Sequence, residues 1–328
     1  MAKRYDWKAL LSEYMFEGKE PLINGLVSGR EFALDLHRGG NLLMFIVCHP
    51  LIHLAYAYEL DSRTIAIEAL AMGSCFYGPL HKYIDDPSYT KPSPFRSASL
   101  LDILEKVRED KRFDGLYNRR SGETEKVFKE KEEELLEYWN AWDLSNPKEQ
   151  FQQSQELATI IVLGTEAPED ARFDFFFVHL LTSSHAVRIL LPIIPVKYHI
   201  KLVRQWWLFV LAVYITQVRP KLNPGAINDF DLKGRDWKHV TDAALNGTHS
   251  LDTHFVKGKL LSRLAANDNK QANNNVALRK LHVASETWGD ESQFYLKAAV
   301  KFFSEFDHWG GFHYKENDVK YYEGQKIV

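Results

Sequence analysis

Two histidines four residues apart, His49 and His53, stand in an otherwise apolar stretch, His49-Pro50-Leu51-Ile52-His53-Leu54-Ala55-Tyr56-Ala57-Tyr58-Glu59. On a helix this spacing projects both imidazoles from one face, one turn apart, where both can reach a single metal ion. The commoner source of such a spacing is two part-buried histidines satisfied by backbone carbonyls, so the pair needs support from elsewhere in the chain. Pro50 favours the first helical position, so the reading makes His49 the N-cap of a helix that starts at Pro50 and runs to about residue 60.

Histidine recurs in apolar helical settings further along. His179 and His185 lie in Phe175-Phe176-Phe177-Val178-His179-Leu180-Leu181-Thr182-Ser183-Ser184-His185, His254 in Asp252-Thr253-His254-Phe255-Val256-Lys257, and His282 in Leu278-Arg279-Lys280-Leu281-His282. A buried histidine must find partners, so the set suggests a shared polar focus, although each one alone also reads as a core residue bonded to a carbonyl. Lys257 follows His254 by three residues and shares its helical face. Facing a buried site, an ammonium is disfavoured, and the neutral amine beside a metal can add carbon dioxide to become a carbamate, an oxygen ligand. The other reading lets Lys257 snorkel to the surface.

The elements that must position these residues are helical, because 3.6-residue periodicity dominates and alternating strand patterns are almost absent. Helices are predicted over 5–16, 63–76 with Ser62 as N-cap, 99–109, 123–142, 149–164, 170–191, 197–218, 237–245, 251–264, 276–288 and 294–306. Three prolines make 85–94 a loop, 223–233 has loop composition, and the Asn-rich segment 265–275 is expected to be mobile. No linker divides the chain, so the expectation is all-α: one domain over 1–328, roughly ten to twelve helices around a buried His-rich site.

Composition narrows the function. A net charge of -3 removes the electrostatic case for nucleic acid. The longest strongly apolar run, 206–215, is too short to span a membrane, and the N-terminus leads into an amphipathic stretch rather than a signal core. Cys48 and Cys75 read as reduced thiols, which with the missing signal core points to a cytoplasmic protein. Aromatics at 13% suit a deep core or a pocket for a flat ligand, with Phe76, Phe176, Trp206 and Trp207 as wall candidates whose commoner individual use is core packing. No G-x-G-x-x-G, P-loop or G-x-S-x-G motif is present.

The order HPLIHLAYAYE, RFDFFFVHLLTSSHAV, DTHFVKGKLL, ALRKLHVASETWG resembles the questin oxidase-like family, mainly fungal enzymes of aromatic polyketide metabolism, over about residues 42–311. The resemblance implies a metal-dependent oxygenase that uses dioxygen to open or oxidise a ring of a flat, anthraquinone-like phenol. It implies a non-haem iron, Fe2+, held by His49, His53, His179, His254 and a carboxylated Lys257, with His185 or His282 taking the phenol proton. Other members are NADPH-dependent Baeyer–Villiger oxidases, so a metal-free NADPH-linked oxidase is the rival enzyme, although the chain has no nucleotide motif. A helical ligand-binding protein without turnover is the other alternative. The chain departs from the family in Gly258-Lys259-Leu260, where an arginine usually follows the lysine, and at His185, which replaces an apolar residue.

Overall fold

Leu100, Ile103, Leu104 and Val107 recur at helical spacing, and all four are buried on one face of a helix whose first turn is capped by Ser99, its hydroxyl accepting from the Asp102 amide at 3.2 Å. The same logic builds the rest of the computed structural model, which describes residues 7–10, 43–75, 82–165, 173–246, 276–306 and 309–310. In chain order the helices are α1 (Trp7–Leu10), α2 (Leu43–Leu60), α3 (Arg63–Cys75), α4 (Lys82–Asp85), α5 (Leu100–Glu109), α6 (Glu125–Glu130), α7 (Glu132–Ala141), α8 (Pro147–Leu163), α9 (Phe175–Leu190), α10 (His199–Thr216), α11 (Gly225–Asn228), α12 (Trp237–Asn246), α13 (Val276–Trp288) and α14 (Phe294–Glu305). The strands among the described residues are one parallel pair of two residues each, Phe173–Asp174 with Trp309–Gly310. The all-α expectation holds.

Helix α9 is buried on nearly every side and is the axis of the molecule, packed against α2, α8, α10 and α13. Asp174 starts it, accepting from the Phe176 and Phe177 amides at 2.8 and 3.2 Å. Its carboxylate also receives Arg120 at 3.2 Å, with both side chains largely buried. Burial raises the Asp174 pKa to about 6, against the opposing pull of Arg120 and the two amides. At the end of α8, Gly164 meets the chain closely: its carbonyl accepts from the Asn223 amide at 2.7 Å, and a Cβ there would lie 2.7 Å from the Asn223 carbonyl oxygen.

Three expectations change. His49 is not an N-cap, because α2 already runs from Leu43 through it, and Pro50 sits in the helix interior. An interior proline loses the bond to the carbonyl four residues back and clashes with it, at about 3 kcal/mol. Cys48, Leu51, Leu54, Ala55 and Ala57 around it are essentially inaccessible, and burial at about 1.5–3 kcal/mol per large apolar side chain outweighs the defect. The helix expected over 123–142 is two helices, broken at Lys131, whose φ of -139° and ψ of 33° leave the helical region. The 85–94 loop holds a 3-10 turn, Pro87–Tyr89, started by Asp86 accepting from the Ser88 amide.

Ser62 does cap α3, its hydroxyl accepting from the Ile65 amide at 3.4 Å. Trp206 and Trp207 are fully buried, their indole N–H groups donating to the carbonyls of Leu180 and Tyr138 at 3.4 Å, and Phe176 is also buried in the core. Among the described residues no helix is long and apolar enough to cross a membrane. The expected helix over 251–264, the segment 265–275, Phe76 and the tail beyond residue 310 lie outside the described residues, as does most of the helix expected over 5–16.

Candidate functional site

Helices α2 and α9 bring His49, His53 and His179 together. The ring centre of His49 lies 6.0 Å from that of His53 and 5.5 Å from that of His179. The first distance follows from i,i+4 spacing on α2, the second from the packing of α2 on α9. His179 is oriented from behind: its Nδ1–H donates to the Phe175 carbonyl at 2.8 Å, so Nε2 carries the lone pair. Burial lowers the His179 pKa to about 4, partly opposed by that carbonyl. Burial, then the neighbouring His179 and His53, lower the His49 pKa to about 3. His53 Nδ1 stands 3.7 Å from Glu68 Oε1 on α3. At neutral pH the core of the cluster, His49 and His179, is therefore uncharged imidazole.

Further along the same two helices a second cluster forms. His185 donates Nε2–H to Glu59 Oε1 at 2.9 Å, and Arg279 Nη2 donates to the same oxygen at 3.0 Å. Lys280 Nζ lies 3.6 Å from Glu59 Oε2 and 4.3 Å from the centre of the Tyr56 ring. Burial alone would raise the Glu59 pKa, but the hydrogen bond from His185 and the charges of Lys280 and Arg279 hold it well below the ordinary carboxylate range. Burial, and then Lys280, keep His185 neutral in spite of its carboxylate partner. Arg188 ties the neighbouring turn of α9 to α13 through Thr287 Oγ1 at 3.0 Å.

His282 lies on α13 with its ring edge-on to Trp237 of α12, 4.6 Å between centres, and Nδ1 3.9 Å from Glu286. Burial lowers its pKa, with Glu286 opposing. His254 and Lys257 lie outside the described residues. Of the seven residues singled out from sequence, the structure thus gathers His49, His53 and His179, places His185 with Glu59, and sets His282 against Trp237.

Compared with known families, the chain matches the questin oxidase-like model over residues 1–258. The chain belongs to the questin oxidase-like family. No curated protein matches it. Membership indicates an oxidase acting on a small polyketide substrate. The matched span contains the first two motifs and the third as far as Gly258, and it stops before the fourth, so Arg279, Lys280 and His282 come from beyond it.

The donors of this questin oxidase-like chain fit an iron ion in type: neutral imidazoles, one with its tautomer fixed by a carbonyl behind it. Among the described residues no group of three or more His, Cys, Asp or Glu is arranged to hold a metal, so His49, His53 and His179 are neighbours rather than a closed coordination sphere. The sequence reading missed Glu59, Arg279 and Lys280, although all three stand in motifs it quotes. The available signal was the charged pair Arg279-Lys280 between Leu278 and Leu281, two charges inside an apolar helical face.

Proposed function

We propose that the chain is a metal-dependent oxygenase that uses dioxygen to oxidise or cleave a ring of a flat phenolic polyketide. One observation carries the reading: His49 lies in ring contact with both His53 and His179, and the Phe175 carbonyl turns the His179 Nε2 lone pair away from its own helix. Iron, as Fe2+, would be held by His49, His53 and His179, with His254 and a carboxylated Lys257 completing the set that the family resemblance implies. When bound, it supplies the one-electron chemistry that activates dioxygen. The chain itself supplies neutral nitrogen donors and a buried, largely apolar surround. His185 is the better of the two proposed bases, because Glu59 fixes its tautomer and leaves Nδ1 as the proton acceptor, whereas His282 packs on Trp237. The protein is proposed to be a single cytoplasmic domain.

The test is metal content and oxygen uptake of protein purified without chelator, with a hydroxyanthraquinone as substrate. Iron near one per chain, lost in His49→Ala and His179→Ala together with oxygen uptake, is expected. Lys257→Arg should also lose iron, because a guanidinium cannot be deprotonated to form a carbamate. Turnover of iron-free protein on addition of NADPH would replace this reading with the Baeyer–Villiger one.

A further inference from the structure

Glu59, His185, Arg279 and Lys280 meet from α2, α9 and α13, and none of their side chains is more than 2% exposed. Glu59 engages one of the three guanidinium nitrogens of Arg279. Arg279 Nε and Nη1 are buried with no hydrogen-bond partner, and so is His185 Nδ1. The last is the lone-pair nitrogen of its ring, since Nε2–H is given to Glu59. Native interiors rarely leave such groups unfilled, and a guanidinium away from water is the donor that most needs an acceptor. Here unfilled donors and an unfilled acceptor stand on one carboxylate.

We propose that Arg279 and His185 form a binding site for one oxygen of a weak oxygen acid, phenolic or carboxylic. The acid's O–H points to His185 Nδ1 while the same oxygen accepts from Arg279. Passing the proton from oxygen to Nδ1 leaves an oxygen anion on the guanidinium and an imidazolium on Glu59, so charge is conserved and no electron moves. A carboxylic acid, ionised in neutral water, takes up one proton from solvent as it binds and shares it with Nδ1; a halide meets only half of the site, because it is too weak a base to hold a proton there. The site needs no metal ligand, and it rests on the oxygenase reading only in sharing His185, the base proposed there for the phenol proton. It does lie along the same helices: Glu59 is ten residues after His49, about 15 Å along α2, and His185 six after His179, about 9 Å along α9. A fused-ring phenol is long enough to reach from one cluster towards the other, and a free small acid fills the same chemistry.

The full-length chain as purified is titrated with phenol, benzoate or chloride at constant ionic strength while its melting temperature is followed. Phenol and benzoate should raise it saturably and chloride should not, and Arg279→Gln should weaken both acids at least tenfold. Glu59→Gln removes a counter-charge and releases the His185 tautomer, so benzoate should bind more tightly and phenol more weakly. An ion cluster with a purely structural role does not produce that split, and it decides the matter if Arg279→Gln does not fold. A chloride response equal to the others, or unchanged affinities in Glu59→Gln, overturns the proposal. Displacement of a bound hydroxyanthraquinone by phenol assigns the oxygen to a larger aromatic, and Arg279-dependent binding without displacement assigns it to a free acid; both uphold the site. Metal content and turnover play no part in this readout, so failure of the oxygenase reading leaves it unaffected.

Discussion

His179 donates its Nδ1–H to the carbonyl oxygen of Phe175, one turn earlier on α9, at 2.8 Å. The first turn of α9 is in turn held by Asp174, which caps the Phe176 and Phe177 amides and pairs with Arg120. The imidazole facing His49 is thus oriented through a chain of contacts that begins at a helix cap.

Asp174→Ala tests that chain. It removes both cap bonds and strands the Arg120 guanidinium, so unfolding should become easier by about 3–5 kcal/mol, the usual loss when one partner of a buried pair is deleted. Asp174→Asn keeps an acceptor for the cap and should lose less. Urea unfolding measures both. A loss under about 1 kcal/mol for the alanine variant would mean that α9 is held by its packing alone.

Pro50 invites the opposite experiment. Replacing it by Ala restores a helical N–H next to His49 and relieves about 3 kcal/mol. The change removes about two buried CH₂ groups at roughly 0.8 kcal/mol each and loosens the unfolded chain by about 0.4–1 kcal/mol. Stability should therefore move by no more than about 1 kcal/mol, while iron retention falls because the turn between His49 and His53 changes. Thermal melts and metal analysis on the same preparation check the two halves, and unchanged retention would remove the proline from any role at the site.

Trp207 is core. It is fully buried, stacks edge-on with Trp142 at 5.9 Å between centres and donates to the Tyr138 carbonyl. Trp207→Ala should reduce stability by about 3–5 kcal/mol and leave the affinity for a hydroxyanthraquinone unchanged wherever the variant is folded. A selective loss of affinity in calorimetric titration would put the indole in the pocket instead.

These cases show how far one sequence reaches. Helix existence was legible where apolar spacing and caps agree, as in Leu100 to Val107 behind Ser99 and in α3 behind Ser62. Pro50 was misplaced because local preference puts proline first in a helix, and only the burial of its neighbours reveals why α2 tolerates it. The break at Lys131 lies in a charged run whose pattern is the same for one helix or two. The pairing of His49 with His53 could be read from spacing, and His179 only suspected. The Glu59, Arg279 and Lys280 cluster joins distant parts of the chain, and no local rule connects them.

The last expectation concerns acid. In the folded chain the His49 pKa falls to about 3 and the His179 pKa to about 4, and that of His185 is also depressed, all chiefly by burial. Unfolded, each returns to about 6.5. Below pH 6.5 the unfolded chain therefore binds more protons than the folded one, and stability must fall as the pH drops. Asp174 has the reverse sign: its folded pKa of about 6 exceeds its unfolded value, so between roughly pH 4 and 6 it binds its proton more readily when folded. It is one group against three. Below about pH 4.5 Glu59 joins the imidazoles, because its depressed folded pKa leaves it ionised until the chain unfolds. Chelator-treated protein should thus lose at least about 2 kcal/mol between pH 6.5 and 4.5, read as a falling urea midpoint. His179→Phe, which cannot take up that proton, should show a shallower decline even if its stability at pH 7 is lower. A midpoint that is flat or rises towards pH 4.5 would mean that these imidazoles meet water in the folded chain, and the buried neutral donor set would be lost with it.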